Sequence, residues 1–68
     1  MTTRAAVLAY IREHVEAHGY APTLAEIAAA VGLAGKSGAA YHVNRLVEQG
    51  AIEHAYKRPR GIRVLRIL

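Results

Sequence analysis

The stretch Thr23–Gly50, TLAEIAAAVGLAGKSGAAYHVNRLVEQG, decides how this chain is read. It opens on Thr23 with Glu26 three residues later, the spacing of a capping box. There the hydroxyl takes an amide of the first turn and the carboxylate reaches back to the cap. Leu24, Ile27, Ala28 and Val31 then recur at helical spacing, and Gly32 closes a short helix. The alanines at 28–30 let another helix approach closely. GLAG (32–35) is a connector with glycine at both ends, and Leu33 is expected to be buried as the wedge of the turn. A second periodic segment runs from Lys36 to Gln49, with Ala39, His42, Val43, Leu46 and Val47 inward and Gly50 as its stop. Gly38 is the weak point of that helix, costing about 1 kcal/mol relative to alanine.

Working outward, residues 4–18 place Leu8, Ile11 and Val15 on one helical stripe, with Arg12, Glu13 and Glu16 outside it. Gly19 reads as the residue just past the end of this helix, and Pro22 prevents its continuation. On the other side, AIEHAY (51–56) and GIRVLRIL (61–68) read as strands, with Ile52 on one and Ile62 and Val64 on the other. KRPRG (57–61) joins them. Pro59 cannot donate to a sheet ladder and Gly61 tolerates positive φ, so this is a turn or irregular loop. The predicted fold is mainly α with a small β-hairpin: a three-helix winged helix-turn-helix, one domain spanning 1–68.

Composition bounds the rest. Sixty-eight residues lie near the lower limit for folding alone, and no cysteine is present to staple them. The core must be aliphatic and small, for there is no Phe or Trp. No segment approaches a membrane span or a signal-peptide apolar region, so a cytoplasmic protein is expected. Charge is lopsided. Residues 1–33 carry two arginines against three glutamates, a net of −1, whereas 34–68 carry seven cations against two glutamates, a net of +5. One basic face meeting a polyanion accounts for that asymmetry.

A helix, a short glycine-bearing turn and a second helix with a polar outer face suit a major groove, about 12 Å wide. The outward face is expected to carry Lys36, Ser37, Ala40, Tyr41, Asn44 and Arg45. Asn44 can pair bidentately with an adenine edge, and Lys36 can reach guanine or phosphate. Ala40 can touch a thymine methyl, Tyr41 a sugar or phosphate, and Arg45 the backbone. Lys57, Arg58 and Arg60 are expected to project from the hairpin tip toward phosphate or a minor groove, with Arg63 on the strand flank.

GYAPTLAEIAAAVGLAGKSGAAYHVNRLVEQGAIE (19–53) and RGIRVL (60–65) resemble the amino-terminal DNA-binding domain of LexA-type SOS repressors. The matching residues are Gly19, Pro22, Thr23, Glu26, Ile27, Ala28, Val31, Gly32, His42, Leu46, Gly50 and Ile52. The resemblance implies a dimer on a palindromic operator, with the third helix in the major groove and the wing on the backbone. It further implies transcriptional repression by occlusion of the operator. Gly35, Gly38, Ala40 and Tyr41 depart from the family's usual residues at positions that read bases, so the operator is expected to differ from an SOS box. The family's peptidase domain, with its Ser–Lys dyad and dimer interface, has no counterpart here, and no autoproteolysis is expected.

Other chemistries find little footing. His14 and His18 are spaced as helical zinc ligands can be, but no third ligand lies nearby in sequence, and no metal or cofactor is expected. No nucleophile–base grouping marks an enzyme. The rival reading is a winged-helix module that contacts a protein such as a polymerase or replication factor. The apolar VLRIL end (64–68) either packs back on the first helix or serves as an edge strand for self-association, as in a homodimer, or for a partner.

Overall fold

The computed structural model describes residues 2–55 and 57–65. Thr2 starts the first helix: its hydroxyl accepts from the Ala5 amide at 3.1 Å, and α1 spans Thr3–His18. Gly19 ends it in the left-handed region, its amide donating to the Val15 carbonyl at 2.8 Å. The second helix, α2, spans Leu24–Val31 behind the predicted capping box. The Glu26 amide donates to Thr23 Oγ1 at 3.1 Å, and the Thr23 amide to Glu26 Oε1 at 2.8 Å. Helix α3 spans Lys36–Glu48, one residue shorter than predicted, with Gln49 as its cap.

Beyond α3 the chain reverses through Gly50, at φ 79°. The Gly50 amide donates to the Val47 carbonyl and the Ala51 amide to the Leu46 carbonyl, each at 3.0 Å. This is the paired closure that only a left-handed residue permits cheaply. It delivers the chain into β1, Ile52–His54, which pairs antiparallel with β2, Ile62–Val64. The register sets Ile52 opposite Val64 and His54 opposite Ile62. The Leu65 amide extends the pairing by donating to the Ala51 carbonyl at 3.0 Å. The two apolar readings of the VLRIL end fall largely on residues 66–68, outside the described residues.

The core lies where the three helices and the hairpin meet: Val7, Ile11, Ile27, Ala39, Val43, Leu46, Ile52 and Ile62, filled in by alanines. It contains no buried polar or charged residue among those described. The expected α1 stripe needs correction, because Val7 and Ile11 are fully buried while Leu8 and Val15 are half-buried at its margins. Helix α1 packs against both other helices, so its apolar face is wider than one row and centres on Val7–Ile11. Leu33 and His42 are likewise half-buried rather than interior. Leu33 covers Gly38, where a Cβ would stand 3.6 Å from the Leu33 Cβ, an ordinary contact.

Candidate nucleic-acid interface

Helix α3 is held by one face and presents the other. Ala39, Val43 and Leu46 are at most 2% exposed. At 100° per residue the opposite stripe is Ser37, Tyr41, Asn44 and Glu48, all exposed. Tyr41 is 57% exposed. Lys36 is exposed and half-buried Ala40 lies on the same flank, whereas exposed Arg45 takes the other. Gly38, expected among the base-reading positions, turns toward Leu33 instead.

The start of α3 is bare and positive. Gly35 caps it in extended backbone without a side-chain hydrogen bond, and its first turn has no acidic residue. Helix-dipole charge and the Lys36 ammonium therefore add there. The far end differs: Arg45 Nη1 donates to Glu48 Oε1 at 3.1 Å, and the Glu48 carboxylate would repel a polyanion. The part of the stripe suited to an anionic groove runs from Lys36 to Asn44.

Tyr41 has a support that sequence reasoning missed. The Arg4 guanidinium, from the first turn of α1, lies 5.7 Å from the Tyr41 ring centroid, within cation–π range. Thirty-seven positions separate the two residues, and no local pattern joins them.

The hairpin loop is two successive tight turns. The Arg58 amide donates to the Ala55 carbonyl and the Gly61 amide to the Arg58 carbonyl, each at 3.1 Å. Pro59 follows the first residue of the second turn, where its fixed φ is an asset. Gly61 is needed for a reason other than the one expected. Its φ is not positive; instead a Cβ there would collide with the Ala55 carbonyl oxygen, where the hairpin stem closes. Lys57 and Arg58 are exposed at the tip. They line one cleft with Lys36, Pro59 and the start of α2 at Thr23 and Leu24. His54 also faces this cleft, and burial lowers its pKa, keeping it neutral at pH 7.

Arg60 does something else, and its expected projection from the tip is corrected. Its guanidinium turns back across the molecule to α2. Nη1 donates to Glu26 Oε1 at 2.8 Å and to the Ala21 carbonyl at 2.9 Å, and Nη2 donates to Glu26 Oε2 at 3.0 Å. The planar group also lies 4.6 Å from the Tyr20 ring centroid. A bidentate carboxylate fork with an aromatic floor matches guanidinium geometry. The Arg60 hydrogen bonds, with the Thr23 amide second, hold the Glu26 carboxyl down to about 2. Because that pKa is depressed, the pair is complete at neutral pH and is lost only as pH falls from the ordinary carboxylate range toward 2. Arg63 stays on the strand flank as expected, 3.8 Å from Glu53.

His14 and His18 lie at this corner, beside Tyr20. Their ring centroids are 4.3 Å apart with the planes tilted by 41°, and His14 Nδ1 lies 2.9 Å from the Tyr20 carbonyl oxygen. Among the described residues no three His, Cys, Asp or Glu side chains are grouped to hold an ion. No described helix is long and apolar enough to cross a membrane.

The model of the LexA DNA binding domain matches residues 1–61 of this chain. The LexA repressor of Limosilactobacillus reuteri (strain DSM 20016) is 46% identical over 59 residues, which cover 87% of this chain and 28% of the relative. LexA repressor 1 of Xanthomonas campestris pv. campestris is 52% identical over 61 residues, covering 90% and 30%. LexA repressor 2 of Pseudomonas syringae pv. tomato is 44% identical over 62 residues, covering 91% and 31%. The chain thus spans about three-tenths of the length of these curated relatives. With three helices, an antiparallel wing and a match running from the first residue into the wing, the chain belongs to the LexA DNA-binding domain family.

Proposed function

We infer that this domain binds double-stranded DNA sequence-specifically and represses transcription by occupying an operator. The observation that carries the reading is convergence: Lys36 at the start of α3 and Lys57 and Arg58 of the wing line one cleft beside the exposed α3 stripe. With α3 in a major groove, the sugar–phosphate strand bordering that groove runs through the cleft, where cations release its counterions. Asn44 reads an adenine edge, Lys36 a guanine or phosphate, and Ala40 a thymine methyl. Ser37 and Tyr41 contact sugar and phosphate, and Arg45 meets backbone at the flank. Work of this kind places the protein in the cytoplasm, on the nucleoid when bound. A homodimer, formed through the C-terminal strand, would set two α3 helices on half-sites about 34–36 Å apart.

Selection of bound duplexes from a random library at physiological salt tests the reading. A recovered motif is expected, and a palindrome would report the dimer as well; recovery of no motif overturns it. Asn44→Ala is expected to relax base preference. Arg58→Ala is expected to weaken all sequences alike and to reduce the salt slope by about 0.9. An Arg58 variant with unchanged affinity and slope would remove the wing from the interface. The protein-adaptor rival calls for an exposed apolar patch. The exposed large apolar side chains among the described residues are Tyr20 and Tyr41, and each lies against an arginine.

A further inference from the structure

Resting on that DNA-binding reading, we propose that Arg60 is a positioning residue for the interface and makes no phosphate contact. It fixes the wing to the start of α2 through Glu26, so that Lys57 and Arg58 are presented to the cleft they share with Lys36.

The geometry turns Arg60 toward α2 even though its side chain stays 39% exposed. Its two terminal nitrogens make three hydrogen bonds, to both oxygens of Glu26 and to the Ala21 carbonyl, and one face of the group is covered by Tyr20. Releasing it toward a phosphate would break all of these and leave the Glu26 carboxylate to the Thr23 amide, with His14 Nε2 3.9 Å away. Glu26 in turn has two duties, since the oxygen that takes Arg60 Nη1 also accepts the Thr23 amide of the helix cap. The clasp therefore joins the wing to the helix-turn-helix at the first turn of α2, and its support is built in. Tyr20 is braced by the His14 ring at 5.4 Å, and its carbonyl lies against His14 Nδ1. Apart from its own turn hydrogen bonds and the Ala55–Gly61 closure, little holds the tip against the helices: the strands are three residues each, and Lys57, Arg58 and Pro59 are all exposed.

Two substitutions separate positioning from direct contact. Glu26→Gln keeps a capping-box side chain but removes the anion that holds Arg60. It raises the net charge, which by electrostatics alone strengthens binding to DNA. Arg60→Lys keeps the cation, which serves a phosphate well enough, but cannot form the planar fork. Positioning predicts that both variants weaken binding to a selected duplex, by several-fold to about tenfold. It also predicts that the double variant is no weaker than the worse single one. Tighter binding by Glu26→Gln, or unchanged binding by Arg60→Lys, overturns the proposal.

Amide hydrogen exchange on the free protein gives a reading independent of DNA. Exchange at Arg58 and Gly61, whose amides close the two turns of the tip, should quicken in both variants, while the α3 amides at Val43 and Leu46 stay protected. Unchanged exchange at the tip overturns the proposal, whether or not a duplex binds. A wild-type chain that binds no duplex, yet shows the quickened tip in its variants, would instead sink the DNA reading and leave the clasp standing.

Discussion

The two halves of the candidate interface are anchored by different physics. Helix α3 is seated by apolar burial, with Ala39, Val43 and Leu46 pressed into a core free of polar residues. Such contacts are many, short-ranged and insensitive to salt or charge. The wing is seated by Ile52 and Ile62 at its base, but at its tip by one ion-paired side chain reaching 34 positions back in sequence. A surface pair of this kind depends on geometry and contributes far less than a buried aliphatic. Helix α3 should therefore fail only when the whole domain fails, whereas the wing can be loosened alone.

The largest expected effect tests the helical side of that contrast. Ile27→Ala removes a side chain with no exposed surface from the centre of the core. It should cost about 2–5 kcal/mol, a large share of what so small a domain has. Denaturant unfolding followed by circular dichroism should show one shifted transition in which α3 and wing are lost together. A wing that melted first in this variant would break the contrast.

Next in size is Gly61→Ala, which drives a methyl into the Ala55 carbonyl at the hairpin stem. A loss of about 1–3 kcal/mol is expected. Chemical-shift changes should be confined to β1, β2 and the loop, and DNA affinity should fall with the helices intact. Gly38→Ala works in the other direction. The site has room against Leu33, and replacing a helical glycine should add about 0.5–1 kcal/mol, read as a raised Tm. Smallest of all is the exposed Arg45–Glu48 pair of α3. Breaking it with Glu48→Gln should change stability by no more than about 0.5 kcal/mol, while removing a carboxylate from the exposed α3 stripe. Tighter duplex binding by that variant would sharpen the assignment of this stripe.

Much of this architecture was legible because its signals are local. Thr23 and Glu26 announce the start of α2 three residues apart, and Gly19, Gly32 and Gly50 mark three ends, each at positive φ. The α3 stripe is legible for the same reason, since a single helix sets both its buried and its exposed face. Legibility ends where the partners are distant. Val7 and Ile11 stand at helical spacing, but which of the adjoining rows of α1 is buried deepest depends on its meeting two helices at once, which lies beyond one helix's pattern. Arg60 looks, in sequence, like a third cation of a basic tip; its carboxylate, its carbonyl and its aromatic floor all lie 34 to 40 positions away. Arg4 under Tyr41 was hidden by the same kind of distance.

The closure of the stem at Ala55 and Gly61 also has a practical meaning. With the strands pinched together on one side and Arg60 tethered on the other, the tip between them behaves as an exchangeable cassette. Lys57 and Arg58 are expected to accept other side chains, provided Pro59 and the arginine–glycine pair that follows are kept. A library confined to those positions would retune how the protein grips its ligand without re-engineering the scaffold that carries it.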